Sequence, residues 1–231
     1  MFYKQWEPIY KKIAKDFNFQ LENEKKVVDV FDKLLNKKKL LPLKKLEEII
    51  SGKNVVIFGA GPSLKDSINL HITKIEDSVK ISADGATSAL LKKNILPDII
   101  VTDLDGNVSD QILANSNGSI IIIHAHGDNI SEIKKYLPKL KKDILGTTQI
   151  NPLAYKNINN FGGFTDGDRA VFLASHFNAE KIYLIGFDFD GRIGKYSYME
   201  NKDINLKLRK LNWCKYLINS LTTNKQNIYF L

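Results

Sequence analysis

Apolar residues in the first fifty positions recur at helical spacing. Trp6, Ile9, Tyr10, Ile13 and Phe17 form one stripe, and Val27, Val30, Phe31, Leu34 and Leu35 form another. Pro42 is placed to start a short third helix over 43–50. Ser51-Gly52 then breaks the pattern, and a boundary is placed there, between a helical segment 1–50 and a second unit 51–231. Beyond it, short runs rich in Val and Ile alternate with amphipathic stretches. The runs at 55–58, 79–82, 99–102, 120–124, 182–185 and 228–231 are, as a set, nearly continuous in Val, Ile and other apolar residues, with Lys80 and Ser82 the main interruptions, as in strands covered on both faces. The stretches 63–70, 87–94, 109–114, 131–140, 167–177 and 204–221 read as the intervening helices. This alternation predicts an α/β fold: a doubly wound, mostly parallel sheet with helices on both faces, preceded by the small helical segment.

The residues just past each strand carry the next signal. Gly59-Ala60-Gly61-Pro62-Ser63 comes after the first run, Asp84-Gly85 after the second, and Asp103 and Asp105 after the third. His124-Ala125-His126-Gly127-Asp128 comes at the fourth, and Gly186, Asp188 and Asp190 come after the run at 182–185. A single acid after a strand is commonly a helix cap. Five polar, glycine-containing clusters at the carboxyl edge of one sheet mark the place where open α/β sheets bind ligands.

The chain has 231 residues, 43% of them hydrophobic, and a formal charge of +8. That size and composition fit a packed core, and the charge favours anionic partners such as phosphorylated small molecules or nucleic acid. The basic runs at 36–39 and 139–142 carry no interleaved aromatics, which argues for solvated helix faces over nucleic-acid recognition. No apolar run approaches the ~20 residues of a membrane span. The start, MFYKQWEPIYKKIAKDF, has no signal-peptide core, and a lone Cys214 leaves no disulfide within the chain. A reducing cytoplasm is the expected compartment.

Each cluster has a chemistry. GAGPSL (59–64) is a glycine-rich strand-to-helix turn, with Gly59, Gly61, Pro62 and Ser63 positioned to meet a phosphate, Ser63 as cap or donor. It lacks the Gly-Lys-Ser/Thr of a P-loop and the third glycine of the dinucleotide fingerprint. Asp103 and Asp105, one residue apart, suit Mg²⁺, which takes carboxylates together with substrate phosphates; the alternative is a capped turn. In HAHGDN (124–129), His126 is a phosphate contact and Asp128 a supporting or metal-binding acid; a zinc set would need distant partners. In GGFTDGDRA (162–170), Thr165 or Asp166 caps a helix and Arg169 is poised to clamp a phosphate. In GFDFDG (186–191), Asp188 stays near the site while Asp190-Gly191 reads as turn chemistry.

The stretch ADGATSALLKKNILPDIIVTDLDGN (83–107) resembles the nucleotide-binding half of thiamin pyrophosphokinases. Ala83-Asp84-Gly85-Ala86 matches their A-D-G-[GA] turn and Pro97-Asp98 their PD dipeptide. Thr102-Asp103-Leu104-Asp105-Gly106 matches their G-D-[FL]-D-S loop, with Thr for the first Gly and Gly for the Ser. HAHGDN departs from the D-x-D-x-T-D that comes next in that family, and the chain has no room for its C-terminal β-sandwich. Residues 52–191 look closer to archaeal 6-hydroxymethyl-7,8-dihydropterin pyrophosphokinases of the methanopterin pathway, through GAGPSL, ADGAT, VTDLDGN, HAHGDN, GGFTDGDRA and GFDFDG in order. That resemblance implies ATP as donor, a reduced pterin alcohol as acceptor, and Mg²⁺. It implies Asp103 and Asp105 as metal ligands with Asp84 nearby and Asp128 assisting; the chemistry of such a transfer then suits His126 and Arg169 as cations on the phosphates, with Gly85 and Gly127 beside the nucleotide. Asp166 or Asp188 is then an acid available for the 2-amino/N3 edge of the pterin. Two other classes stay open on the sequence: a nucleotide-sugar glycosyltransferase, because flagellin-modifying enzymes share the G-x-G-P-S turn, and a basic RNA-binding module. The apolar stripes of 1–50 must be covered, by the α/β unit or in a homo-oligomer.

Overall fold

A computed structural model describes residues 3–197, 203–224 and 226–231. Three helices come first: α1 (Tyr3–Phe17), α2 (Leu21–Leu35) and α3 (Leu43–Ile50). Next are β1 (Asn54–Phe58), α4 (Leu64–Leu70), α5 (Ile72–Glu76), β2 (Val79–Ala83), α6 (Ala86–Leu91), β3 (Ile99–Thr102) and α7 (Val108–Ser116). Then come β4 (Ile120–Ala125), α8 (Ile130–Tyr136), β5 (Ile144–Thr148), β6 (Ile158–Asn159), α9 (Asp166–His176), β7 (Lys181–Ile185), α10 (Ile204–Asn224) and β8 (Ile228–Phe230). The eight strands form one sheet in the order β6-β5-β4-β3-β2-β1-β7-β8. Every pairing is parallel.

The alternation within β1 shows why the sheet needs two covers. Val55 and Ile57 join one buried cluster, and Val56 and Phe58 join another on the opposite face. The second cluster takes Leu64 and Ile68 of α4, Ile75 of α5 and Ala86, Ala89 and Leu90 of α6. The first takes α9 together with the stripes of the opening helices, including Trp6, Ile13, Phe31, Leu35, Leu46 and Ile50, all at 0% exposure. Amphipathic periodicity thus places α1 to α3 against the sheet.

The chain runs outward from β1 to β6 and then returns to the far side of β1 as β7. The direction reverses between β1 and β7, so the helices that come after them, α4 and α10, cover opposite faces of the sheet, the arrangement at which open α/β sheets bind ligands. Two strands come as additions to the pattern read from the sequence. β5 carries Gly146-Thr147-Thr148 in its second half, yet all five residues are buried. Its hydroxyls are satisfied across the sheet: Thr147 Oγ1 donates to the Ile123 carbonyl (3.2 Å) and Thr148 Oγ1 to that of Ala125 (3.2 Å). β6 has only two residues.

Candidate functional site

A cavity of about 250 Å³ opens at the carboxyl edge, above β1, β2, β3, β4 and β7. Its acids are Asp84, Asp103, Asp105, Asp128, Asp166 and Asp188.

Asp84 follows β2 with φ of +40°. Asp tolerates that left-handed conformation because its carboxylate bonds locally. Its Oδ1 accepts from Thr102 Oγ1 (2.9 Å) and Gln111 Nε2 (2.7 Å). A Cβ on Gly106 would stand 2.2 Å from Asp84 Oδ2, so the absence of a side chain at 106 is what lets this carboxylate lie in the acidic loop. Within that loop Leu104 is itself left-handed (φ +69°) with its side chain buried. A non-glycine residue held there stores backbone strain, as functional loops often do. Its N–H is secured by Thr102 Oγ1 at 2.9 Å. The flanking aspartates therefore differ: Asp103 is largely covered, Asp105 exposed.

The carboxylates that converge are not those adjacent in sequence. One oxygen each from Asp84, Asp103 and Asp166 lies within 4.8 Å of the others. Among the described residues no histidine joins such a group. Asp166 arrives because Thr165 caps α9, with Asp168 accepting from the N–H groups of Thr165 (2.9 Å) and Phe164 (2.5 Å). That places the first turn of α9 over β2 and β3. Arg169, one turn on, donates to Asp166 Oδ1 at 2.9 Å and is itself buried, with Nε unpartnered.

His126 lies between two acids, Nε2 to Asp103 Oδ2 at 3.2 Å and Nδ1 to Asp128 Oδ1 at 2.5 Å. Asn129 pins this loop to its neighbour, donating to the carbonyls of Asp103 (2.9 Å) and His124 (2.7 Å). His124 points elsewhere: it is buried, with Nδ1 on Thr147 Oγ1 at 3.1 Å.

Proton affinities divide the acids. Burial, then the charges of Asp105 and Asp103, push Asp84 up to about 7. Burial and the charge of Asp103 also raise Asp166 well above the usual range, against the pull of Arg169. Burial opposes ionisation of Asp103 too, but the hydrogen bond and charge of His126 prevail and hold it well below that range. Burial would lower His126, but its two carboxylates lift it to about 9, so it is a cation at neutral pH. Asp128 is lowered by the hydrogen bond from His126, and the charge of Lys210 adds to this. Burial keeps His124 neutral.

These affinities set how stability depends on pH. An acid whose folded-state affinity exceeds its unfolded value stabilises the fold most below about pH 4 and loses that contribution as pH rises to its folded value. For Asp84 that window ends near 7, and for Asp168, raised to about 6 chiefly by burial, somewhat lower. His126 adds a loss between its unfolded value and about 9. The Tm of the metal-free chain is expected to fall as pH is raised from 5 to 9, by calorimetry in EDTA. A Tm that rises over that interval would contradict the charge distribution described.

Of the positions singled out in the sequence, Gly59, Gly61, Gly85 and Arg169 also line the cavity, whereas Pro62, Ser63 and Gly127 are not on its wall. The glycine-rich turn differs from a phosphate cradle. Gly61 N–H donates to the Gly186 carbonyl (2.9 Å). The N–H (3.1 Å) and hydroxyl (2.9 Å) of Ser63 both go to Asp188 Oδ2, and Ser63 makes no side-chain cap bond to α4. A Cβ on Gly61 would sit 2.1 Å from that same oxygen, so the turn is built to hold Asp188. Phe19, Gln149, Phe187, Lys207 and Lys210 also line the cavity and escaped the sequence reading. Phe187 stood in plain view just before Asp188 in GFDFDG; Gln149 directly follows β5.

The 6-hydroxymethylpterin diphosphokinase MptE-like family matches residues 13–194. The chain belongs to that family. A 6-hydroxymethyl-7,8-dihydropterin pyrophosphokinase of Methanocaldococcus jannaschii is 47% identical, over 99% of this chain and 98% of that protein. Enzymes of the same name from Pyrococcus furiosus (39%; 97% of this chain, 96% of that one) and Methanothermobacter thermautotrophicus (42%; 83% and 81%) are also similar. The MptE-like match contains the whole acidic cluster and stops before α10. Among solved structures, a MAf glycosyltransferase from Magnetospirillum magneticum AMB-1 aligns over 76% of this chain and 33% of its own, at 16% identity and a TM-score of 0.47. That likeness is too distant to bear on the reaction.

Proposed function

We propose that this chain is a cytoplasmic diphosphokinase that moves the β- and γ-phosphates of ATP together onto 6-hydroxymethyl-7,8-dihydropterin, releasing AMP. The observation that carries the reading is 47% identity along almost the full length of an enzyme so named. In the reaction, the hydroxymethyl oxygen bonds to the β-phosphorus, the bond from that phosphorus to the α,β-bridging oxygen breaks, AMP leaves with the electron pair, and the hydroxyl proton is lost.

The acidic cluster fits Mg²⁺. Three carboxylate oxygens within 4.8 Å form a hard donor set, and Asp103 Oδ1 is buried with no hydrogen-bond partner. We assign Asp84, Asp103 and Asp166 as its holders, with Asp105 at the exposed edge. When bound, the ion would neutralise polyphosphate charge and draw Asp84 and Asp166 into their ionised forms. His126, positive and fixed between two carboxylates, keeps Asp103 ionised and oriented. Arg169 orients Asp166 through its 2.9 Å contact and keeps one buried N–H unpartnered. Phe187 and Gly59 to Gly61 offer an apolar wall to a flat ring. Asp188, fastened by Ser63, offers a second acid to ring N–H groups.

The test is the nucleotide product. With ATP, Mg²⁺ and the reduced pterin alcohol, AMP and pterin diphosphate are expected in equal amounts by chromatography, and EDTA should stop the reaction. ADP as sole product would refute diphosphoryl transfer.

A further inference from the structure

Five cationic side chains line the cavity: His126, Arg169, Arg192, Lys207 and Lys210. Three are already engaged. His126 has a carboxylate on each ring nitrogen, Arg169 is bound to Asp166, and Arg192 is paired with Asp190 on the exposed side. Lys207 and Lys210 make no close ion pair with a carboxylate among the described residues, although the charge of Lys210 reaches Asp128. They lie at i and i+3 of α10, on the face that also brings Leu211 and Cys214 to the cavity, and both are half-buried. A solvated charge run has no reason to turn two lysines inward over a cavity when other faces of the same helix are open to solvent.

The helix is held where it puts them. Asp203 caps it, accepting from Asn205 N–H at 2.8 Å. On its outer side Trp213 Nε1 donates to Asp16 Oδ2 at 2.8 Å, and the Arg209 guanidinium bonds the carbonyl and carboxylate of the same Asp16. Arg209 also lies over the Phe17 ring, 4.7 Å from its centroid, and Phe17 packs on Phe164, one residue before the α9 cap. The face bearing Lys207 and Lys210 is therefore tied to the residues that position Asp166.

We propose that Lys207 and Lys210 bind the transferred diphosphate, contacting its non-bridging oxygens from the side opposite the acidic cluster. The proposal rests on the diphosphokinase reading for its substrate. The chemistry requires such groups. A magnesium-bound triphosphate remains anionic, and the cavity presents six aspartates. Cations that are partly covered and not held in an ion pair stabilise charge on the β- and γ-phosphates as the bond to AMP breaks. Neither lysine lies in the segment matched by the family model, which ends at residue 194.

The test compares wild type, Lys207→Ala/Lys210→Ala and Lys207→Arg/Lys210→Arg in full-length protein with Mg²⁺. Calorimetric binding of magnesium pyrophosphate, of ATP and of AMP is measured alongside turnover. The alanine pair is expected to weaken pyrophosphate and ATP at least tenfold and to lower kcat about a hundredfold, with AMP affinity within twofold of wild type. The arginine pair should recover most of both losses. Unchanged pyrophosphate affinity in the alanine pair would overturn the proposal. So would an equal loss for AMP and ATP, which would make α10 a mere prop of the cavity, or a wild type that binds no pyrophosphate. Failure of the diphosphokinase reading would look different: wild-type protein would yield no AMP from ATP, while the pyrophosphate comparison would still decide the lysines.

Discussion

Asp103→Asn is expected to leave a folded chain whose turnover has dropped by about a thousandfold, the several kcal/mol that a catalytic metal supplies. Asparagine keeps the shape and one oxygen but removes the charge that His126 holds in place through its 3.2 Å contact. Asp84→Asn should be comparably inactive, yet more stable than wild type without metal. Three carboxylates lie within 4.8 Å of one another, and Asp84 takes on protons near pH 7 because of its burial and the charges of Asp105 and Asp103. Asparagine also accepts a φ of +40° readily and can keep the acceptor bonded to Thr102 and Gln111. A site that is inactive but relaxed is the signature of a cluster assembled for a cation. Turnover at limiting Mg²⁺ and Tm in EDTA at pH 8 measure the two effects. Near-normal turnover for both variants would remove these acids from the metal site, and a lowered Tm for Asp84→Asn would show that the cluster is not under charge strain.

The strands β1, β3, β4 and β7 are legible because each is a short, nearly unbroken apolar run, which a parallel sheet buried on both faces favours, while β2 (Val-Lys-Ile-Ser-Ala) is legible through Val79, Ile81 and its place before Asp84-Gly85. β5 is not, because Gly146-Thr147-Thr148 reads as a turn until neighbouring carbonyls are there to take the hydroxyls. The site was legible to the extent that it comes directly after strands: Asp84, Asp103 and His126 lie immediately beyond strand ends, and chain order alone brings them to one edge. Asp166 shows where that logic stops. Its place in GGFTDGDRA is equally a helix cap or a ligand contact, and its approach to Asp84 depends on α9 crossing back over β2 and β3. The glycine-rich turn misleads in the other direction. Gly61 and Ser63 have the residue types of a phosphate loop, but the Gly186 carbonyl takes the Gly61 N–H and Asp188, 125 positions away from Ser63, takes both Ser63 donors. Lys207 and Lys210 sit among many lysines, and only the cavity distinguishes them.

Removal of residues 1–50 is expected to abolish folding altogether. Trp6, Ile13, Val28, Phe31, Leu35, Leu46 and Ile50 are at 0% exposure in the same cluster as the sheet face. Losing one large side chain from such a core costs about 2–5 kcal/mol, and a whole domain is stable by only about 5–15 kcal/mol. The loss would reach the cavity as well. Trp6 Nε1 donates to the Gln149 carbonyl at 2.9 Å, and the Gln149 amide donates to the buried Glu24 at 2.9 Å. Phe19 and Gln149 both belong to the cavity wall. A chain beginning at Ser51 should therefore give a disordered far-UV circular dichroism spectrum or precipitate. In the full-length chain, Trp6→Ala should lower stability by about 3–5 kcal/mol in urea unfolding. A soluble, monomeric chain 51–231 that unfolds cooperatively would show that the sheet closes its core without α1 to α3. If it also kept wild-type affinity for its substrates, Phe19 and the Gln149 contacts would have no part in the site.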